Sequence, residues 1–198
     1  SGEYIALILD LIILGLHDAE RTGDQSYVYF LLDTKTFKLL LSYMSKSIES
    51  FNHVSSLYFT SLTFQSTVLA TKMVSTISKF FSSRIEDISF GVLDLANDED
   101  QSDIGVLHLG PSDLQCLLNV LIASKFKDQP MFVDVHTNIL LTLRYLIKVR
   151  GIVEHLQMVS DFHTGVLHFC KHSDPRPNRV AWNLIYTMIK YVSLSIPS

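Results

Sequence analysis

The side chains with the best chance of binding a metal ion lie close together near the end of the chain: His163, His168, Cys170 and His172. His168 and His172 are four residues apart, so on a helix they share one face and could hold a metal ion between them. Cys170 projects from another face, and no second pair of ligands stands at zinc-finger spacing. We therefore predict imidazoles that hydrogen-bond near a helix end, with no metal and no cofactor bound.

Catalytic motifs are missing from the sequence. It contains no Gly-x-Ser-x-Gly, no His-Glu-x-x-His and no glycine-rich phosphate loop. The acidic run at residues 98–100 also fails as an EF-hand, which would need Gly in place of Asp103 and a carboxylate in place of Leu109. We predict an acidic surface loop at about 95–104 and no catalytic residue.

The elements that position these residues are predicted to be helices throughout, so the fold class is all-α. Apolar residues recur every three or four positions along most of the chain, and Gly or Pro interrupts the pattern. Ser112 is the predicted N-cap of one helix, and residues 84–110 are predicted to lack regular structure. The predicted helices cover about residues 4–16, 34–48, 51–83, 112–124, 131–149, 152–159, 161–172 and 178–193.

The stretch 51–83 has a polar face made almost wholly of Ser and Thr, with charge only at Lys72 and Lys79. A freely solvated helix carries more charge. We predict an inner helix, or two abutting helices, packed on both sides; the alternative is a face that meets another chain. The apolar segment 4–16 is a second place where such a contact is expected.

Composition favours an intracellular protein. Cys116 and Cys170 are the only cysteines and form no CxxC pair, so no disulfide framework is indicated. The most apolar run, residues 4–16, is shorter than the roughly 20 residues of a membrane span and contains Asp10. We expect one helical domain over residues 1–198, without a membrane anchor, and the opening Ser1-Gly2 suggests a fragment of a longer protein.

A weak internal repeat appears at a shift of 45 residues, which places Pro130 on Pro175 and three further identities on the helix that follows. Those identities are Val135 with Val180, Asn138 with Asn183, and Thr142 with Thr187. The period lies within the roughly 40 to 47 residues of armadillo and HEAT units, in which one helical unit covers its apolar face by stacking on a copy.

Residues 112–194 resemble the armadillo/HEAT superfamily, through Gly165-Val-Leu-His-Phe and then Ser173-Asp-Pro-Arg-Pro-Asn-Arg-Val-Ala-Trp182. The resemblance implies a right-handed helical solenoid with degenerate repeats. In peptide-binding armadillo proteins a Trp is followed four residues later by Asn, but Tyr186 follows Trp182 at that spacing. The ladder of contacts to an extended peptide is therefore not expected here.

Charge is distributed unevenly: residues 1–110 hold 14 acidic and 7 basic residues (net −7), and residues 111–198 hold 6 acidic and 9 basic residues (net +3). The basic half is predicted to meet an acidic partner surface or peptide, or else to be ordinary solvated charge. The only Trp, Trp182, is expected in the core but is also a candidate interface anchor. The predicted partner-binding residues are Arg144, Lys148, Arg150, Lys171, Arg176, Arg179 and Trp182.

The leading hypothesis is a non-catalytic protein–protein interaction module. It would act as an adaptor or assembly scaffold that binds a partner helix or peptide, and self-association is a further expectation. The second hypothesis is a nucleic-acid-associated solenoid that uses the basic half, although a chain with a pI near 6.0 lacks a dense Lys/Arg stripe. A helical enzyme, which would need a converging polar pocket, is the third.

Overall fold

Eight α-helices and no strand make up the part of the chain that the computed structural model describes. That part comprises residues 2–22, 34–53, 61–89, 109–124, 130–149, 152–157, 159 and 161–194. The helices are α1 (Gly2–Thr22), α2 (Thr34–His53), α3 (Ser61–Ser89), α4 (Pro111–Ser124), α5 (Pro130–Leu146), α6 (Ile152–Gln157), α7 (Phe162–Phe169) and α8 (Pro175–Leu194). The prediction of an all-α fold is confirmed.

The helices pack in two rows. Helices α1, α3, α5 and α8 lie side by side in that order, each against the next, and α3–α5 is the most extensive pair. Helices α2 and α4 form the second row together with α6 and α7, which both contact α4. The rows meet where α2 packs on α3, α4 on α5, and α7 on α8.

One hydrophobic core runs between the rows. It extends from Leu9 and Ile13 of α1 to Ala181 and Leu184 of α8. In each of these helices the buried residues recur at three- or four-residue spacing, which is the period that places side chains on one helical face. The buried residues of each helix therefore form one stripe that faces the core.

Helix α3 carries buried hydroxyl groups as well as apolar side chains. Ser66, Thr67, Thr71 and Ser78 are fully buried, because α3 packs against α1, α2 and α5. Ser78 donates a hydrogen bond to the Val74 carbonyl at 2.8 Å, so its polar atom is satisfied within the helix. The prediction of an inner helix with a Ser/Thr face is confirmed for the described residues.

The α4 N-terminus differs from its prediction. The helix begins at Pro111, and the Gly110 carbonyl accepts from the amides of Asp113 and Leu114 at 3.1 and 3.3 Å. The Asp113 carboxylate in turn accepts from the Gly110 amide at 2.9 Å. Gly110 is thus the capping residue, and Ser112 lies in the first turn, so its predicted role as N-cap was wrong.

Other helix boundaries also differ from the predicted ones. Helix α3 continues to Ser89, so the prediction that regular structure is lost from residue 84 was wrong for that segment. Helix α7 ends at Phe169 and is followed by a turn, and α8 begins at Pro175. Proline suits the first turn of a helix because its missing amide hydrogen would have no partner there. The predicted acidic loop at 95–104 lies outside the described residues.

The residues matched by the 45-residue shift occupy equivalent places. Pro130 opens α5 and Pro175 opens α8, two neighbouring helices of the same row. Thr142 donates a hydrogen bond to the Asn138 carbonyl at 2.8 Å. Its counterpart Thr187 makes the same bond to the Asn183 carbonyl at 2.7 Å.

Candidate interaction surface

Trp182 lies on the surface. Its side chain is 55% exposed, so the expectation that it belongs to the core was wrong. Tyr186 and Ile189 of the same helix are 71% and 62% exposed. The three residues stand at i, i+4 and i+7, so they form one stripe along α8, opposite the face that buries Ala181 and Leu184.

A groove runs beside this stripe, between α7 and α8. It encloses about 460 Å³, and its wall is almost wholly apolar. Leu167 of α7, which is 52% exposed, borders it opposite Ile189. The lining residues are Phe162, His163, Val166, Leu167, Ile185, Met188 and Ile189. We call this groove, together with Trp182 and Tyr186, the α7–α8 surface.

The close packing of α7 beneath the groove depends on Gly165. A Cβ atom at this buried position would lie 3.0 Å from Leu118 Cδ1 of α4, a distance shorter than an ordinary carbon–carbon contact. The missing side chain lets α7 approach α4 closely. Val166 and Leu167, which follow Gly165, line the groove.

The α8 side of the α7–α8 surface is basic. Helix α8 contains Arg176, Arg179 and Lys190 and no acidic residue. Arg179 and Lys190 are exposed, and by helical spacing both flank the apolar stripe on the side away from α7. Lys171, also exposed, lines a neighbouring depression that includes Trp182. The structure therefore places three of the predicted residues, Lys171, Arg179 and Trp182, around one surface.

Arg176, another predicted residue, is held by carboxylates. Its guanidinium donates to Asp134 of α5 at 2.7 Å and to both carboxylate oxygens of Asp174 at 3.3 Å. The hydrogen bonds from Arg176 lower the pKa of Asp174 below its usual value, and Asp174 raises the pKa of Arg176. This network joins the start of α8 to α5, so Arg176 has a structural role.

The remaining predicted residues are Arg144, Lys148 and Arg150. Arg144 of α5 is half-buried, and its Nε is buried with no hydrogen-bond acceptor among the described residues. Lys148 follows the end of α5 and is half-buried. Arg150 lies outside the described residues. Nothing in the described contacts joins these residues to the α7–α8 surface.

The histidines pack with aromatic rings. His136 of α5 is fully buried, and its ring centroid lies 4.8 Å from that of Phe169 and 5.7 Å from that of His172. His172 Nδ1 accepts from the Asp174 amide at 3.0 Å. Burial raises the pKa of the Cys170 thiol, which keeps it protonated. Over the described part of the chain no three His, Cys, Asp or Glu side chains are grouped to hold a metal ion.

Helix α1 exposes a second apolar stripe. Leu7, Leu11 and Leu14 are 58%, 58% and 59% exposed, and Ile8 beside them is 55% exposed. The leucines also stand at i, i+4 and i+7, and they lie opposite Leu9 and Ile13, which pack on the core. The sequence prediction indicated α1 as a contact region but did not distinguish these residues.

The structure thus defines an all-helical protein with an exposed apolar surface as its candidate site. A family model for the ScaA C-terminal domain matches residues 3–197. The chain therefore belongs to the ScaA C-terminal domain family, whose name states no activity. No curated protein and no solved structure matches the chain.

None of the described helices combines the length and the apolar composition needed to cross a membrane.

Proposed function

We propose that this protein is a non-catalytic protein–protein interaction module that binds a partner helix on the α7–α8 surface. One observation carries the proposal: Leu167, Trp182, Tyr186 and Ile189 are each more than half exposed beside an apolar groove. Soluble proteins rarely leave large apolar side chains together in contact with water unless another molecule covers them. Trp and Tyr are also the residues that most often anchor protein interfaces.

The shape of the surface favours a helix as the ligand. Two neighbouring helices of unequal length border a groove of about 460 Å³. An amphipathic helix can place apolar side chains at i, i+3, i+4 and i+7 into such a groove. The exposed bases Lys171, Arg179 and Lys190 favour a partner with acidic residues beside its apolar face.

The fold supports the role of a scaffold. Two rows of helices, each helix packing on its neighbours in the same row, are what stacked helical repeats of the armadillo or HEAT kind would produce. The matching Thr hydrogen bonds in α5 and α8 fit degenerate repeats. We infer an intracellular adaptor or assembly platform, since such stacks offer extended binding surface.

The proposal is tested by using the protein and two matched variants to capture binding partners from a cell extract. Ile189→Asp places a carboxylate in the groove. The control, Leu39→Asp, places a carboxylate at a leucine of α2 that is 65% exposed, and α2 packs mainly on α3 and α4. We expect wild type and Leu39→Asp to capture the same discrete protein at low and at raised salt, and Ile189→Asp to lose at least about tenfold of it.

Two results would contradict the proposal. Equal capture by Ile189→Asp and wild type would show that the groove is not the binding site. Capture of nucleic acid alone, disappearing at raised salt, would favour the nucleic-acid hypothesis instead. Circular dichroism of both variants checks that each one is folded.

A further inference from the structure

We propose that helix α1 of a second copy of this protein occupies the α7–α8 surface, so that copies associate head to tail. The inference rests on the proposed function, because it names a partner for the same groove. It starts from the two exposed stripes, Leu7–Leu11–Leu14 and Trp182–Tyr186–Ile189, which share the spacing i, i+4 and i+7. Each stripe is long enough to cover the other.

The stripes lie at opposite ends of one row of helices. In the order α1, α3, α5, α8, helix α1 packs on α3, and α8 packs on α5. Each end helix therefore has a buried face and an outer face, and the outer face carries the stripe. Placing α1 of one copy against α8 of the next continues the row, as one repeat stacks on another.

Charge complementarity selects this pairing over a pairing of like ends. Helix α1 contains Glu3, Asp10, Asp18 and Glu20 against one base, Arg21, and so has a net charge of −3. Helix α8 has three bases and no acid; Arg176 is paired with Asp134 and Asp174, which leaves Arg179 and Lys190 to face a partner. An α1–α1 or α8–α8 contact would bring like charges together, whereas α1 against α8 brings opposite charges together.

Individual residues show where these charges would meet. Asp10 is exposed and by helical spacing flanks the Leu7–Leu11–Leu14 stripe, whereas Asp18, which continues that stripe, already pairs with Arg21 at 2.7 Å. Arg179 and Lys190 flank the Trp182–Tyr186–Ile189 stripe on α8. A carboxylate beside one stripe and two cations beside the other give the pair an electrostatic attraction that raised salt weakens.

The available area indicates a weak association. Four large side chains on each face, each more than half exposed, can bury roughly 100 Å² apiece, or roughly 800 Å² in total before the polar rim is added. That is below the roughly 1,200–2,000 Å² of stable specific interfaces and in the range of weak, transient contacts, so we expect a dissociation constant on the order of micromolar or weaker. A head-to-tail contact leaves both outer ends free, so longer assemblies can form.

The test is sedimentation equilibrium of wild type, Leu11→Asp, Ile189→Asp and an equimolar mixture of the two variants, from about 1 to about 200 µM. We expect the mass of wild type to rise above the monomer value of 22.5 kDa with concentration and each single variant to remain monomeric. The mixture should form a dimer and stop there, because only one intact α1 stripe and one intact groove remain to pair.

Controls separate association from folding. Leu39→Asp should associate like wild type, because Leu39 lies outside both exposed stripes and outside the groove. Asp10→Lys, at an exposed position that packs on nothing in the core, should weaken association about tenfold at low salt and less at high salt. It provides an independent test if Leu11→Asp does not fold.

Three results would overturn the inference: wild type that stays monomeric, Leu11→Asp that still associates alone, or a mixture of variants that fails to dimerise. The first result leaves the proposed function untouched if capture of a partner is still lost in Ile189→Asp. If instead Ile189→Asp changes neither capture nor association, then the groove is not a binding site and the two proposals fail together.

Discussion

Replacing Thr71 by Val should weaken the contact between α3 and α5, the most extensive helix pair of the fold. Thr71 is fully buried, and its hydroxyl donates to the Val68 carbonyl at 2.7 Å while accepting from Asn138 Nδ2 at 3.1 Å. Valine has nearly the same shape, so the change removes both hydrogen bonds and leaves the packing volume almost unchanged.

The expected loss follows from these two bonds. The Val68 carbonyl keeps its helical surroundings, so losing the extra donor costs little, whereas the half-buried Asn138 amide loses an acceptor from another helix. A net hydrogen bond contributes about 0.5–1.5 kcal/mol, and an unsatisfied buried donor costs about 1–3 kcal/mol. We expect Thr71→Val to lower the free energy of unfolding by about 1–2 kcal/mol, or about 2–8 °C in melting temperature.

The assay is urea unfolding followed by circular dichroism at 222 nm, because Trp182 is exposed and reports weakly on the core. Thr71→Ser, which keeps the hydroxyl, should retain the coupling to Asn138. A double-mutant cycle of Thr71→Val with Asn138→Ala should give a coupling energy of about 0.5–1.5 kcal/mol. Strictly additive effects, or a Thr71→Val protein as stable as wild type, would refute this reasoning.

Three further predictions concern α7, its turn and the start of α8. Gly165→Val should destabilise the protein by about 1–3 kcal/mol in urea unfolding, since even its Cβ would lie 3.0 Å from Leu118 Cδ1; unchanged stability would show that α4 and α7 can separate freely. The Cys170 thiol, whose pKa burial raises, should react with a disulfide reagent at pH 7 only slowly until urea unfolds the protein, and rapid labelling of the native state would contradict its burial. Hydrogen bonds from Arg176 lower the pKa of Asp174 in the folded protein. The stability that these bonds provide is therefore present above the pKa that Asp174 has in the unfolded state, and it is lost as the pH falls through the folded pKa. Asp174→Asn should flatten the acid limb of a curve of stability against pH, and an unchanged limb would contradict this.

The periodicity of the sequence was enough to predict the helices. It also identified the inner position of α3, because its Ser/Thr face carries too little charge for a solvated surface. Boundaries were less predictable: Gly110 and Ser112 are both acceptable caps, and the choice depends on the Asp113 carboxylate turning back to the Gly110 amide. Local sequence does not encode that competition uniquely.

The exposed site was harder to predict for a different reason. Helix α8 is apolar on two faces, one with Ala181 and Leu184 and one with Trp182 and Tyr186. Its own sequence does not say which face meets α5 and which remains uncovered, because that depends on how many helices stack beyond it. The exposed stripe on α1 was missed in detail for the same reason. The signal that the sequence did offer was on α8, where a stripe of large apolar residues is flanked only by bases, as expected of an interface.

The role of Arg176 likewise depends on tertiary structure, which the sequence pattern does not reveal. Its sequence neighbours suggest a free basic cluster, but 42 residues separate it from Asp134, which it contacts at 2.7 Å. Folding α5 beside α8 brings the two together. Of the predicted basic residues, Lys171 and Arg179 therefore remain as candidates for partner contact on the α7–α8 surface.

The most direct test of the docking proposal is photo-crosslinking from the surface itself. A photoreactive phenylalanine analogue replaces Tyr186, and a control chain carries it at Asn119, an exposed position of α4. On illumination in a cell extract we expect position 186, and not position 119, to form a discrete protein adduct that Ile189→Asp abolishes. Identical adducts at both positions, or none at 186, would contradict a partner seated between α7 and α8.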